Sequence, residues 1–271
     1  MNRRHWLATI SGLAASLSGG CGDAGPARPT LRVAAASDLQ HALPVLIAAF
    51  RQEHGAGLEV VPTFGSSGQL SEQIRQGAPF NVFLSADRRF VEKLAEEGSI
   101  DPKSVRAYAR GTLVLAVHDV SDPIVKGLAD LSRPEVKTIA MANPEVAPYG
   151  RAAKQTLERA GLWESLGPKI VPADSVRQAL QFVELGNADV AFVGRSIADV
   201  KGIRAVALPP DSCDPIIQVL GVTTSSGQAA DARAFADFVM GEVGQGILHR
   251  LGFSRVSEEE PKAQAPGPAG R

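Results

Sequence analysis

Four short stretches of this chain bring donor groups to places where a strand hands over to a helix. They are Ala36-Ser37-Asp38, Gly65-Ser66-Ser67-Gly68, Pro148-Tyr149-Gly150-Arg151 and Asp174-Ser175-Val176-Arg177. The first N–H groups of a helix have no intrahelical partner, and they sit at the positive end of the helix dipole. Such a terminus holds an anion without a cationic side chain. The residue types suit that use. Gly65 and Gly68 allow backbone to approach a ligand closely. Ser67 either caps a helix starting at Gly68 or turns its hydroxyl to an anion, with Ser66 beside it as a secondary candidate. Pro148 fits a first helical position and leaves the Tyr149 N–H free. Asp174 reads as a cap, which puts Val176 in the first turn with its N–H available. Any one of these junctions is ordinary capping chemistry; four of them point to an anion site.

The elements that must position these groups follow from periodicity. Short β-branched runs lie at 31–35, 58–64, 82–85, 112–117, 137–141, 189–193 and 216–223, and residues 170–173 lead into the fourth junction. Helical spacing occupies 43–54, 68–76, 88–97, 149–160, 175–185 and 229–250. Pro44 cannot donate, so the first regular helix is expected to start near His41 or Ala42, after an irregular turn at 38–40. The alternation predicts an α/β fold with largely parallel sheets. In such sheets ligands bind beyond the carboxyl ends of the strands, where all four junctions fall.

Composition narrows the function. The chain has 271 residues, room for one large or two smaller domains, and its 44% hydrophobic and 21% charged residues are those of a globular protein. Aromatic residues make up 5%, too few for a sugar- or base-stacking surface, and a net charge of -1 offers no field for nucleic acid. Arg3 and Arg4 precede a short apolar run at 6–17, then Ser18-Gly19-Gly20-Cys21. That order reads as an export signal over 1–21, with Cys21 acylated as the first mature residue. The stretch from Asn2 to Leu7 also resembles a twin-arginine signal. Residues 22–29 read as a tether and 257–271 as a disordered tail. With Cys21 acylated, Cys213 has no disulfide partner, and two cysteines build no zinc site. Enzyme signatures are absent: Gly65-Ser66-Ser67-Gly68 lacks the spacing of a nucleophile elbow, and no histidines pair as HExxH. A serine hydrolase is a remote alternative.

From about Leu31 to about Val256 the chain resembles the periplasmic molybdate-binding proteins of ABC-type importers, of the type II periplasmic binding protein family. The resemblance rests on Ala34-Ala35-Ala36-Ser37, Phe64-Gly65-Ser66-Ser67, Gly77-Ala78-Pro79, Leu84-Ser85-Ala86-Asp87, Asn143-Pro144-Glu145, Ala147-Pro148-Tyr149-Gly150, Ser175-Val176-Arg177 and Leu251-Gly252-Phe253, in that order. It implies two α/β lobes with mostly parallel sheets, joined by two crossing hinge segments. These would lie at 109–112 and 220–223, giving one lobe from 30–110 plus 222–256 and another from 111–221. It implies an oxyanion held in the cleft by Ser37, Ser67, Tyr149 and Val176, with no direct cation ligand and no cofactor. Two positions depart from the pattern. Some members carry a ligand-binding tyrosine where this chain has Gly194, while others carry it where Tyr149 stands, so Tyr149 is expected to supply the hydroxyl. Asp38 is an additional residue before the first helix; a carboxylate beside a dianion repels it, so Asp38 must point away, cap a helix or mark a different ligand.

The resemblance therefore implies a non-enzymatic, extracytoplasmic, lipid-anchored monomer that captures molybdate, and tungstate equally well, for a membrane permease. Sulfate, thiosulfate, phosphate or a small organic anion on the same fold is the alternative.

Overall fold

The computed structural model describes residues 29–118, 124–225 and 227–256. The expected signal, all but the last residue of the tether, and the tail lie outside them. In chain order the main elements are β1 (Thr30–Ala36), α1 (Ala42–His54), β2 (Glu59–Gly65), α2 (Ser67–Arg75), β3 (Val82–Ser85), α3 (Arg88–Glu96), β4 (Arg106–Gly111) and β5 (Leu113–His118). There follow β6 (Ile139–Ala142), α4 (Pro148–Arg159), α5 (Trp163–Leu166), β7 (Ile170–Ala173), α6 (Val176–Glu184), β8 (Val190–Gly194), β9 (Ile203–Ala207), β10 (Ile216–Val222), α7 (Ala229–Met240) and α8 (Glu242–Arg250).

Two five-stranded sheets result, ordered β2-β1-β3-β10-β4 and β7-β6-β8-β5-β9. Each is the floor of one lobe. In the first, β1 is apolar throughout because helices cover both its faces. Val33 and Ala35 pack with Leu43, Phe50 and Phe235, while Ala34 faces the opposite cluster with Leu70, Phe83 and Val91. In the second, Leu115, Ile139, Val190 and Phe192 pack against Leu157, Leu180 and Val183 from α4 and α6.

Four features differ from the sequence reading. The sheets are mixed: β1, β2 and β3 run parallel, but β10 is antiparallel to both β3 and β4, and β5 is antiparallel to β8 and β9. The second crossing precedes β10 and does not lie at 220–223. Ile216–Val222 pairs with β3 and β4, so the chain has already returned to the first lobe between Ala207 and Ile216. The apolar run of β10 reads alike in either sheet; only pairing assigns it. The helical span 229–250 is two helices, broken at Gly241, whose extended ψ of 171° ends α7 and caps α8. The strands β4 and β9, not anticipated, are edge strands carrying arginines among short apolar runs. The first helix begins at Ala42, after a 3-10 turn at Ser37–Leu39, as Pro44 led one to expect.

Candidate anion-binding site

The carboxyl ends of β1, β2 and β3 in one lobe face those of β6 and β7 in the other. A small, partly open pocket lies between them, lined by Ser37, Asp38, Gly65, Ser66, Ser67, Ala86, Pro148, Tyr149 and Val176 among others. All four expected ligand residues, Ser37, Ser67, Tyr149 and Val176, thus meet in one place.

Their local geometry shows which groups are free. Ser66, not Ser67, caps α2, its Oγ accepting from Gln69 N at 3.4 Å. This leaves Ser67 at the first helical position, where its Oγ accepts from Ala86 N at 3.0 Å. A hydroxyl whose lone pair is so engaged still has its proton to donate. Ser37 Oγ has no partner among the described residues. The cap of α6 is Ser175 and not Asp174: Ser175 takes the extended backbone immediately before the first helical residue, and its Oγ accepts from Gln178 N at 3.3 Å. Pro148 opens α4 as expected. The N–H groups of Ser67, Tyr149 and Val176 have no backbone acceptor among the described residues, and each belongs to the first turn of its helix.

Tyr149 and Asp38 depart from the expectation. The Tyr149 hydroxyl donates its one proton to Asp38 Oδ2 at 2.9 Å, so it is the tyrosine's backbone N–H that stays free. The ring fills the space beside Gly194, where a Cβ would come within 3.1 Å of Tyr149 Cζ. A side chain at 194 and the ring at 149 exclude each other. Asp38 neither points away nor caps α1, whose N-terminal neighbour is His41. It is fully buried, and Gln218 Nε2 also donates to its Oδ2. Burial pushes the Asp38 carboxyl up to about 6, against the opposing pull of the hydrogen bonds from Gln218, Tyr149 and its own main chain.

Sequence reasoning missed Gln218, Tyr108 and Ser196. Tyr108 Oη donates to Gln218 Oε1 at 2.6 Å, and Ser196 Oγ donates to the Asp38 carbonyl at 2.8 Å. A glutamine inside the apolar run Ile216-Ile217-Gln218-Val219-Leu220 was the available signal, since a buried amide needs partners. Asp87 caps α3, accepting from Arg89 N at 2.8 Å, and also accepts from Arg151 of the other lobe at 2.9 Å. Arg177 pairs with Glu184 and Cys213 is a free thiol. Among the described residues no group of His, Cys, Asp and Glu is arranged to hold a metal cation.

The two lobes, the strand-end pocket and its neutral donors define a solute-binding protein of the clam-like kind. The chain belongs to the bacterial extracellular solute-binding protein family, whose model matches residues 31–254. This is a family of transport proteins, not of enzymes. The chain is 37% identical to the molybdate-binding protein ModA of Rhodobacter capsulatus, over 73% of this chain and 78% of that protein. It is 30% identical to ModA of Escherichia coli, over 93% and 98%. The solved periplasmic molybdate-binding protein of Azotobacter vinelandii superposes with a TM-score of 0.78 at 33% identity, covering 84% of this chain and 100% of that one.

Proposed function

We propose that this protein captures molybdate outside the cytoplasm and passes it to the membrane permease of an ABC importer. The observation that carries the reading is the donor set of one pocket: the Ser37 and Ser67 hydroxyls and three unpaired first-turn N–H groups, with no Lys, Arg or His in its wall. The molybdate-binding relatives supply the identity of the ion. Molybdate is a tetrahedral dianion whose metal is enclosed by its own oxygens, so the residues that hold it are hydrogen-bond donors and not metal ligands. Charge-assisted hydrogen bonds contribute about 1.5–3 kcal/mol each. Four or five of them sum to about 6–15 kcal/mol, a range that spans the roughly 8 kcal/mol of micromolar binding and in its upper part leaves a margin for desolvation and lobe closure. Neutral donors also let the ion leave once the lobes part. Tungstate has the same charge and shape and is expected to bind alike. The protein acts as a monomer, anchored through Cys21, and palmitate labelling lost in Cys21→Ser would verify the anchor.

One observation favours a second reading. Asp38 in the wall is an acceptor, and a singly protonated oxyanion such as hydrogen phosphate would use it. Calorimetric titration of the ion-stripped protein separates the two. Tight one-to-one heat with molybdate and tungstate, and far weaker heat with sulfate and phosphate, is the expected result; phosphate alone binding tightly would replace the first reading by the second.

A further inference from the structure

Asp38 is the one carboxyl side chain in the wall of the anion pocket. Its Oδ2 already accepts from Tyr149 and Gln218, while Oδ1 is buried with no partner among the described residues. Among the described residues no cation pairs with it. Of the elements packed against it, α4 presents Tyr149, β10 presents Gln218 with Tyr108 of β4 behind, and the turn after β8 presents the Ser196 hydroxyl. The first turn of α6 presents Val176, and its Arg177 is held by Glu184. Tyr108 and Tyr149 both stay neutral, burial holding their hydroxyls well above the usual tyrosine range.

We infer that Asp38 takes up one proton when the lobes close on a doubly charged oxyanion, so that a carboxylic acid and not a carboxylate borders the ion. The inference rests on the reading of this pocket as an oxyanion site. A carboxylate and a dianion enclosed together repel strongly where water and counter-ions are excluded. Neutral donors offset the charge of the ion but not that of a second anion. Protonation removes the repulsion and turns the acceptor into a donor. Since Oδ2 carries two hydrogen bonds, the proton falls to Oδ1, the oxygen without a partner. It comes from solvent, and no bond in the ligand changes. Before binding, this carboxyl already titrates at about 6, so the added charge of the ligand has little further to move it at neutral pH. Linkage then sets the pH dependence: above that value affinity falls by up to tenfold per pH unit.

The test is calorimetry of the full mature protein with molybdate at pH 7.5, repeated in buffers of different ionisation heat. The dependence of the observed heat on the buffer counts protons. Close to one proton taken up per ion by the native protein, and close to none by Asp38→Asn, is the expected result. Asn keeps the size of the side chain and an oxygen to accept from Tyr149. No uptake by the native protein, or equal uptake by Asp38→Asn, overturns the inference. Silence with molybdate counts against the proposed ligand alone, and the same count made with sulfate, equal in charge and shape, then decides the proton.

Discussion

At the scale of single residues, two adjacent serines separate ligand binding from stability. Ser67 Oγ lies in the pocket wall and is held by Ala86 N, whereas Ser66 Oγ caps α2. Ser67→Ala is expected to weaken molybdate binding by about 1.5–3 kcal/mol, roughly ten- to a hundredfold, as measured by calorimetry. Ser66→Ala should instead lower unfolding stability by about 1 kcal/mol in denaturant and leave affinity within a few fold. Equal effects of the two substitutions on affinity would remove Ser67 from the site. Asp38 gives a pH-dependent prediction without ligand. Its folded value, about 6, lies above the ordinary 3.8, so the stability it contributes is full below pH 3.8 and is lost as pH rises through about 6. Asp38→Asn should therefore gain on the native protein by on the order of 3 kcal/mol between those limits and run parallel to it above them. Urea midpoints from pH 3.5 to 7.5 would check this; a constant difference would contradict the burial of the charge.

At the scale of elements, the site depends on where three helices start. The N-terminus of α4 is pressed against the end of β6: a Cβ at Gly150 would overlap the Ala142 carbonyl and come within 3.0 Å of the Asn143 carbonyl carbon. Only a glycine lets the first turn of α4 descend so far, and Tyr149 with its free N–H sits in that turn. Gly150→Ala should push the helix outward, lowering stability by about 1–3 kcal/mol and affinity by at least tenfold, since a donor displaced by half an ångström no longer meets the pocket. Denaturant unfolding and calorimetry on one preparation would show both losses. Retained affinity would mean that the Tyr149 N–H is not a ligand.

At the scale of the whole molecule, contacts that cross between the lobes hold the closed form. Gly68 N donates to Val146 O at 2.9 Å, Arg151 pairs with Asp87, Tyr149 donates to Asp38, and Ser196 donates to the Asp38 carbonyl. The apolar cluster of the second lobe also takes in Ala36 and Ala86 of the first. Gly68 gives a selective probe of closure. A Cβ there would stand 2.7 Å from Val146 O and 2.9 Å from Val146 Cα, both in the opposite lobe. Within its own lobe the substitution is harmless, since alanine favours a helix over glycine by up to about 1 kcal/mol. Gly68→Ala should thus keep or slightly raise unliganded stability, lower molybdate affinity at least tenfold, and abolish the ligand-induced decrease of radius in small-angle scattering. A variant that still closed and bound would show that the lobes meet differently in solution.

The sequence by itself placed the helix starts at the site to within a residue and singled out four of the pocket residues. Ser37, Ser67, Tyr149 and Val176 were legible because capping residues, glycines and Pro148 act through local backbone geometry, within a turn of where they stand. The alternation of strands and helices was legible for the same reason. Which sheet β10 joins was not, because an apolar strand pairs equally well in either lobe until its neighbours are known. Nor was the fate of the Tyr149 hydroxyl. It goes to Asp38, 111 residues away, and Gln218 reaches the same carboxyl from 180 residues away. Such contacts have no local signature. The packing of two lobes brought a carboxyl, an amide and two phenols into one buried cluster, and only there does Asp38 acquire a proton affinity that its place in the chain does not foretell.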